Sequence, residues 1–229
     1  MTAISLDPRQ WPGLHPLLIA HDVGGSRDRS TAVVGGHCAY VPGMLGITEF
    51  NELPRGLYGS ARASALAQVD ARYERNGLII ADLSSDSSYA EQLFETFGAR
   101  VIGVHISRHG IGMEAERRPV GRGNILVYHV GRSHLLEALL SELHAGRLCF
   151  ADGPAARRAY AQLEALEPEM RESGMAYKCL PGQHDDLGIS IAMLNWAARH
   201  PHLQYWIGNM LAARRPRRPQ QSFGWGAFT

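Results

Sequence analysis

Apolar residues occur in short blocks along this chain, and two of the blocks stop on an acid. Leu17-Leu18-Ile19-Ala20-His21-Asp22 reads as a buried strand, followed by a Gly-rich turn from Val23 to Asp28. Ser30 to Gly36 reads as a second strand, and the short gap makes the pair an antiparallel hairpin. A third strand is expected within Met44–Phe50. Residues 59–75 hold good helix formers with no Pro or Gly after Gly59, which predicts a helix. Leu78-Ile79-Ile80-Ala81-Asp82 is a continuous apolar run, as expected of a strand covered on both faces. A helix over 87–97 with Gly98 past its end leads to a strand at Val101–Ile106, giving two parallel strands joined by a crossover.

Residues 107–124 are polar, Gly-rich and basic, and predict a loop or small hairpin leaving the core. The pattern then gives a helix over 133–145, with Ser133 as its cap and Gly146 beyond it. A short strand follows at Arg147–Phe150, then a helix over 154–172 that starts on Pro154. The last strong helix covers 184–199. Residues 1–16 form a Pro/Gly-containing lead-in, 17–213 one α/β domain, and 214–229 an Arg/Pro-rich tail.

Composition adds limits. With 229 residues, 45% hydrophobic, the chain can bury a sizeable core, and its net charge of +1 selects no partner. Lys178 is the one lysine, so arginine supplies the other basic residues. Its planar fork suits phosphate, although a GC-rich coding bias gives the same skew. Cys38, Cys149 and Cys179 form no C-x-x-C pair, and the N-terminus lacks a signal-peptide pattern. No apolar run reaches the ~18 residues of a membrane span. A reduced, cytoplasmic setting is expected.

The acids carry the chemistry. If the strands ending in Asp22 and Asp82 are both parallel central strands, the two carboxylates emerge at one sheet edge, where open α/β sheets bind ligands. Carboxylates brought together repel unless a cation intervenes, and hard oxygen ligands favour magnesium or manganese. Each acid alone could equally cap a turn or a helix. Gln183-His184-Asp185-Asp186 opens a helix apolar on two faces (Leu187, Ile191 and Leu194; Ile189, Met193 and Trp196), which must be largely buried. One Asp suffices for a cap; two entering a buried helix exceed that need.

In this order the segments resemble the C-terminal nuclease domain of the phage large terminase. They are Asp22-x-Gly24 with Asp28 and Ser30, then LIIADLSSDSSYAEQL and GARVIGVHIS, then HAGRLCF, and last HDDLGISIAMLNWA, across roughly residues 15–200. The resemblance implies an RNase H-like fold, a mixed central sheet of about five main strands with helices on both faces. It implies two Mg2+ or Mn2+ ions held by catalytic Asp22, Asp82, Asp185 and Asp186, and cleavage of DNA phosphodiesters. Asp28 and His184 would stand behind these ligands. Where the family commonly has a Gly-containing turn after the second acid, this chain has Leu83-Ser84-Ser85-Asp86, which makes Asp86 an alternative ligand.

In the resembling family a β-hairpin near 107–124 helps engage DNA, which makes Arg108, Arg117, Arg118 and Arg122 candidate contacts to double-stranded DNA; a solvated loop accounts for them equally well. The resemblance suggests a phage or prophage origin, action in the bacterial host, and a separate packaging ATPase, small terminase or portal as partners. The chain has no P-loop, since Lys178 precedes Cys179, so no motor is expected in it. The rival readings are another RNase H-like nuclease, of resolvase or ribonuclease H type, and a degenerate component that binds DNA or a packaging protein without cutting.

Overall fold

The computed structural model describes residues 17–24, 29–38, 41–73, 77–86, 88–108, 110–171, 174–179 and 185–205. The expected lead-in, the Arg/Pro tail, Asp28 and His184 lie outside these residues. In chain order the strands and helices are β1 (Leu18–Asp22), β2 (Thr31–His37), β3 (Leu45–Glu52), α1 (Gly59–Ala71), β4 (Leu78–Asp82), α2 (Tyr89–Phe97), β5 (Val101–Ser107), β6 (Ile111–Val120), β7 (Gly123–Gly131), α3 (Arg132–His144), β8 (Leu148–Phe150), α4 (Pro154–Glu164), β9 (Leu166–Arg171), β10 (Gly174–Cys179) and α5 (Asp186–Arg199).

Eight strands form one mixed sheet in the order β6-β7-β5-β4-β1-β2-β3-β8. The five strands expected as the main sheet are its middle, and the sheet is wider than expected because β7, β6 and β8 extend both edges. β1 pairs antiparallel with β2 and parallel with β4, and β4 pairs parallel with β5, as the apolar runs imply. Alternation divides the core. Leu18, Ala20, Leu78, Ile80, Ile102 and Val104 pack under α3, α4 and α5, while Ile19, Ile79, Ala81 and Val101 pack under α1 and α2. Helices therefore cover both faces. Gly98 and Gly146 both sit past helix ends at positive φ (62° and 68°), the backbone that a terminating glycine supplies.

Two stretches differ from the pattern. The helix expected over 154–172 stops at Glu164, and residues 166–179 form the β9–β10 hairpin instead, with Pro168 opposite Tyr177. Pro168 would cost a helix interior an N–H and a steric clash, whereas an edge strand tolerates it. β7 was not among the expected strands. Its residues Ile125, Val127, Tyr128 and Val130 are buried, and Leu126 to Gly131 pair parallel with β5. The excursion of 107–124 is thus a turn, the long edge strand β6, and a tight connection into β7.

One buried ion pair fixes where β4 begins. Asp70, at the end of α1 and 1% exposed, takes both arms of Arg100 at 3.1 and 2.7 Å. It also accepts the backbone N–H of Gly77 at 3.0 Å, just before β4. This clamp joins α1, β4 and the turn into β5, and so sets the register of the strand that ends on Asp82. Asp70→Ala would leave Arg100 buried without its counter-charge. It is expected to lower the unfolding free energy by about 3–5 kcal/mol in urea denaturation; a loss below about 1 kcal/mol would show that the clamp is dispensable.

Candidate active site

The parallel register Leu18↔Leu78 through His21↔Ala81 carries forward to place Asp22 beside Asp82. Both continue the alternation of Leu18, Ala20, Leu78 and Ile80, so both face the side covered by α5. The first turn of α5 supplies Asp186. Three elements thus deliver three carboxylates to the carboxyl-terminal edge of the central strands.

Short polar side chains seat α5 on that edge. The Asp22 N–H donates to Ser190 Oγ at 3.2 Å, Ser190 Oγ and Thr31 Oγ1 lie 2.7 Å apart, and Thr31 Oγ1 donates to the Asp186 carbonyl at 3.1 Å. Because each hydroxyl has one proton, the direction of this chain is fixed: Ser190 donates to Thr31. Ser190 is fully buried and Thr31 nearly so, and here their hydroxyls find partners.

Helix α5 does not use its own acids as a cap. The first-turn N–H groups of Leu187 and Gly188 donate to Gln162 Oε1 of α4 at 3.1 and 3.2 Å, and Asp185 makes no side-chain cap bond. The ordinary explanation for acids at a helix start is therefore supplied by another residue. Asp185 is instead drawn into an ion pair with Arg132 at the start of α3. Arg132 also donates to the Tyr177 carbonyl of β10 at 2.8 Å.

Electrostatics reflect the convergence. The Asp22 carboxyl is pushed well above the usual carboxylate range, first by burial and then by repulsion from Asp82 and Asp186, partly offset by Arg132. The Asp82 carboxyl, 8% exposed, is also raised by burial. Two bonds from Ser84 oppose the shift: its N–H donates to Asp82 Oδ1 at 2.9 Å and its hydroxyl donates to the same oxygen. Ser84 Oγ in turn accepts the Ile106 N–H of β5 at 2.7 Å. The Leu-Ser-Ser segment that departs from the family pattern thus anchors Asp82. Among the described residues, no three acid, histidine or cysteine side chains are grouped so that they could hold a metal ion as they stand. The donor set nonetheless has the chemistry of a hard-cation site, with hard oxygens held near one another at an electrostatic cost that a cation would relieve.

The remaining expected residues fall elsewhere. Asp86 Oδ1 accepts from the Ser88 N–H at 3.1 Å, the Ser88 hydroxyl at 2.6 Å and the Tyr89 N–H at 3.3 Å, so it serves the start of α2. Arg108 stands in the turn between β5 and β6, at the acid edge. Arg117, Arg118 and Arg122 lie toward the other end of the β6–β7 hairpin, roughly 20 Å along the strand at ~3.3 Å per residue. Arg118 is paired with Glu116 there. Ser84, Thr31, Arg132, Gln162 and Ser190 were not among the expected residues. Ser190 was the most readable, as a hydroxyl inside an otherwise apolar helix.

His21, next to Asp22, faces the opposite side of the sheet. The Thr31 carbonyl can only accept, so Nδ1 donates to it at 2.8 Å and Nε2 accepts from the Tyr89 hydroxyl at 3.3 Å. Burial, with a smaller contribution from Arg62, lowers the His21 pKa to about 4 against the bond to Thr31. A base whose folded pKa is depressed stabilises above its unfolded value near 6.5 and loses that contribution as pH falls toward 4. The loss amounts to about 3 kcal/mol at 1.36 kcal/mol per unit. Asp22 works in the opposite sense, because its raised folded pKa destabilises as pH climbs above ~4. The urea midpoint should therefore fall less between pH 7 and pH 4.5 in His21→Gln than in the parent, or rise; an equal change in both would remove His21 as the titrating group.

No family model matches the chain, and no curated protein matches it. Solved structures do. The large terminase nuclease from thermophilic phage G20c shares 16% identity over 77% of this chain and 79% of that one, with a TM-score of 0.52. The human cytomegalovirus terminase nuclease domain shares 13% identity over 82% and 85%, with a TM-score of 0.50. At these identities the likeness speaks to the fold. With its mixed sheet, helices on both faces and acids at the carboxyl edge, the chain has the RNase H-like fold of the large terminase nuclease domains.

Proposed function

We propose that this chain is a divalent-cation-dependent nuclease that cuts DNA within the strand, with Asp22, Asp82 and Asp186 as the principal ligands and Asp185 joining them. The observation that carries the reading is the convergence on Asp22 of two other carboxylates, one from a neighbouring strand and one from a helix already capped by Gln162. Bound there, two Mg2+ or Mn2+ ions would supply a water of lowered pKa and offset charge on the scissile phosphate and the departing oxygen. The protein's own contribution is positional. Ser84 holds Asp82 to the end of β5, and the Ser190–Thr31 chain holds Asp186 against β1. Arg132 balances the cluster through Asp185 and would yield that acid as cations enter. Arg108, at the same edge, would meet a DNA phosphate, and a separate packaging ATPase, small terminase or portal would bring the DNA. Asp28 and His184 are proposed as outer groups of the same site.

A second reading, a DNA-binding component that does not cut, is favoured by one observation. Asp185, one of the proposed ligands, is already engaged by Arg132.

Nicking of supercoiled plasmid separates the two. The parent should nick with Mn2+ and not in EDTA, and Asp22→Asn and Asp186→Asn should each lower the rate by more than ~100-fold, as removal of a preorganised charged group does. Binding without nicking would leave the second reading standing. Stability offers an independent check. In EDTA at pH 7, Asp22→Asn should melt above the parent because it relieves a buried repulsion. Millimolar Mn2+ should raise the melting temperature of the parent and leave the variant nearly unmoved. A parent indifferent to Mn2+ would sink the metal assignment.

A further inference from the structure

The acid edge opens on one side into a cleft that none of the residues named so far explains. A cavity of about 170 Å³, the volume of about six water molecules, lies between Asp186 and Leu187 of α5, Arg29, Thr31 and Glu52 at the ends of β2 and β3, and Arg55 beyond β3. It meets a larger groove of about 960 Å³ between β3 and α1, which shares Arg29 and Glu52 and adds Arg72 and Arg158. Arg29 and Glu52 line both, so the two are neighbours, and together they set four arginines beside a proposed ligand, Asp186.

These arginines are more than the local acids can neutralise. Glu52 alone receives two of them, Arg29 at 3.1 Å and Arg158 at 3.2 Å. Arg72 pairs with Glu49 at 2.8 Å. Arg55 makes no ion pair among the described residues, and its side chain is exposed. Four cations against three carboxylates, Glu49, Glu52 and Asp186, leave one positive charge in excess on the cleft. Arg29, Arg72 and Arg158 remain about half exposed (48%, 52% and 55%), so each can add a second partner. A solvated ion-pair network needs no cavity, and exposed pairs of this kind contribute little stability. Planar guanidinium forks spaced along a groove suit a row of phosphates.

We infer that this cleft binds a DNA strand as it leaves the acid cluster, with Arg55 and Arg158 contacting successive phosphates and Arg29 shared between the strand and Glu52. The inference rests on the nucleic-acid reading of the acid edge, but it concerns binding and not cleavage. It also separates these arginines from Arg117 and Arg118, which lie beyond β5 and β7 on the other side of the central strands.

The test is fluorescence anisotropy of a labelled DNA oligonucleotide in EDTA, where no cutting occurs, on the full chain. Arg55→Ala/Arg158→Ala should weaken binding by at least ~10-fold. It should also lower the slope of log affinity against log salt by roughly 1.5, since each lost phosphate contact removes ~0.7–0.9. Arg117→Ala/Arg118→Ala should bind as the parent does. Arg55→Lys/Arg158→Lys should recover part of the affinity, which shows that a folding defect is not responsible; the circular dichroism spectra of all variants should superimpose. Parent-like binding by Arg55→Ala/Arg158→Ala, or an equal loss in both alanine pairs, overturns the cleft assignment. So does a parent that binds no DNA. A parent that binds through Arg55 and Arg158 yet cuts nothing in Mn2+ would sustain the cleft and refute the nuclease.

Discussion

The parallel pairing of β1 with β4 at matched register is the constraint on which the site depends. It is made of backbone hydrogen bonds and apolar alternation, with Leu18 beside Leu78 and Ala20 beside Ile80. Because side chains alternate with a period of two, a slip of one residue would turn Asp82 to the face of α1 and α2 and leave Asp22 without its neighbour. The apolar faces oppose such a slip, since it would move every buried residue of a strand covered on both sides. The cost of holding like charges together is met by the burial of the strands that carry them. The Asp70–Arg100 clamp serves the same end from the far side of the sheet.

Much of this was legible in the chain itself. LLIAHD and LIIAD name both strands and both acids, because a continuous apolar run that ends on a carboxylate leaves few alternatives. The apolar faces of α5 announce its burial, and with it the placement of Asp186. What could not be read depends on partners distant in sequence. The capping of α5 by Gln162 is invisible because α4 and α5 are separated by a hairpin. Ser84 reads as a turn residue until Ile106 is known to lie against it. The β9–β10 hairpin was masked by Glu, Met and Arg, which favour helices, although Pro168 was a warning. The role of Arg132 depends on Asp185, more than fifty residues later.

The distribution of arginine also makes physical sense against the sheet. β6 is an edge strand, and its exposed Glu114, Glu116 and Arg117, with Pro119 and the half-buried Arg118, are the kind of residues that stop an edge from pairing with another chain. Their charge is explained by that duty. Arg29, Arg55 and Arg158 sit on no such edge and border a cavity instead. The same residue type therefore serves two ends of the sheet for different reasons, and the surrounding geometry distinguishes them better than local charge density does.

The cap that α4 lends to α5 carries a mechanical implication. Gln162 grips the first N–H groups of α5 while its neighbour Leu163 lies 3.2 Å from where a Cβ on Gly188 would sit. The two helices therefore mesh at the very turn that bears Asp186. A force applied to α4, a helix with no acid in the cluster, would be transmitted to the position of one carboxylate relative to two that are fixed in the sheet. One carboxylate of the cluster thus owes its position to a helix that carries none of the acids, as well as to the bonds that tie α5 to the sheet.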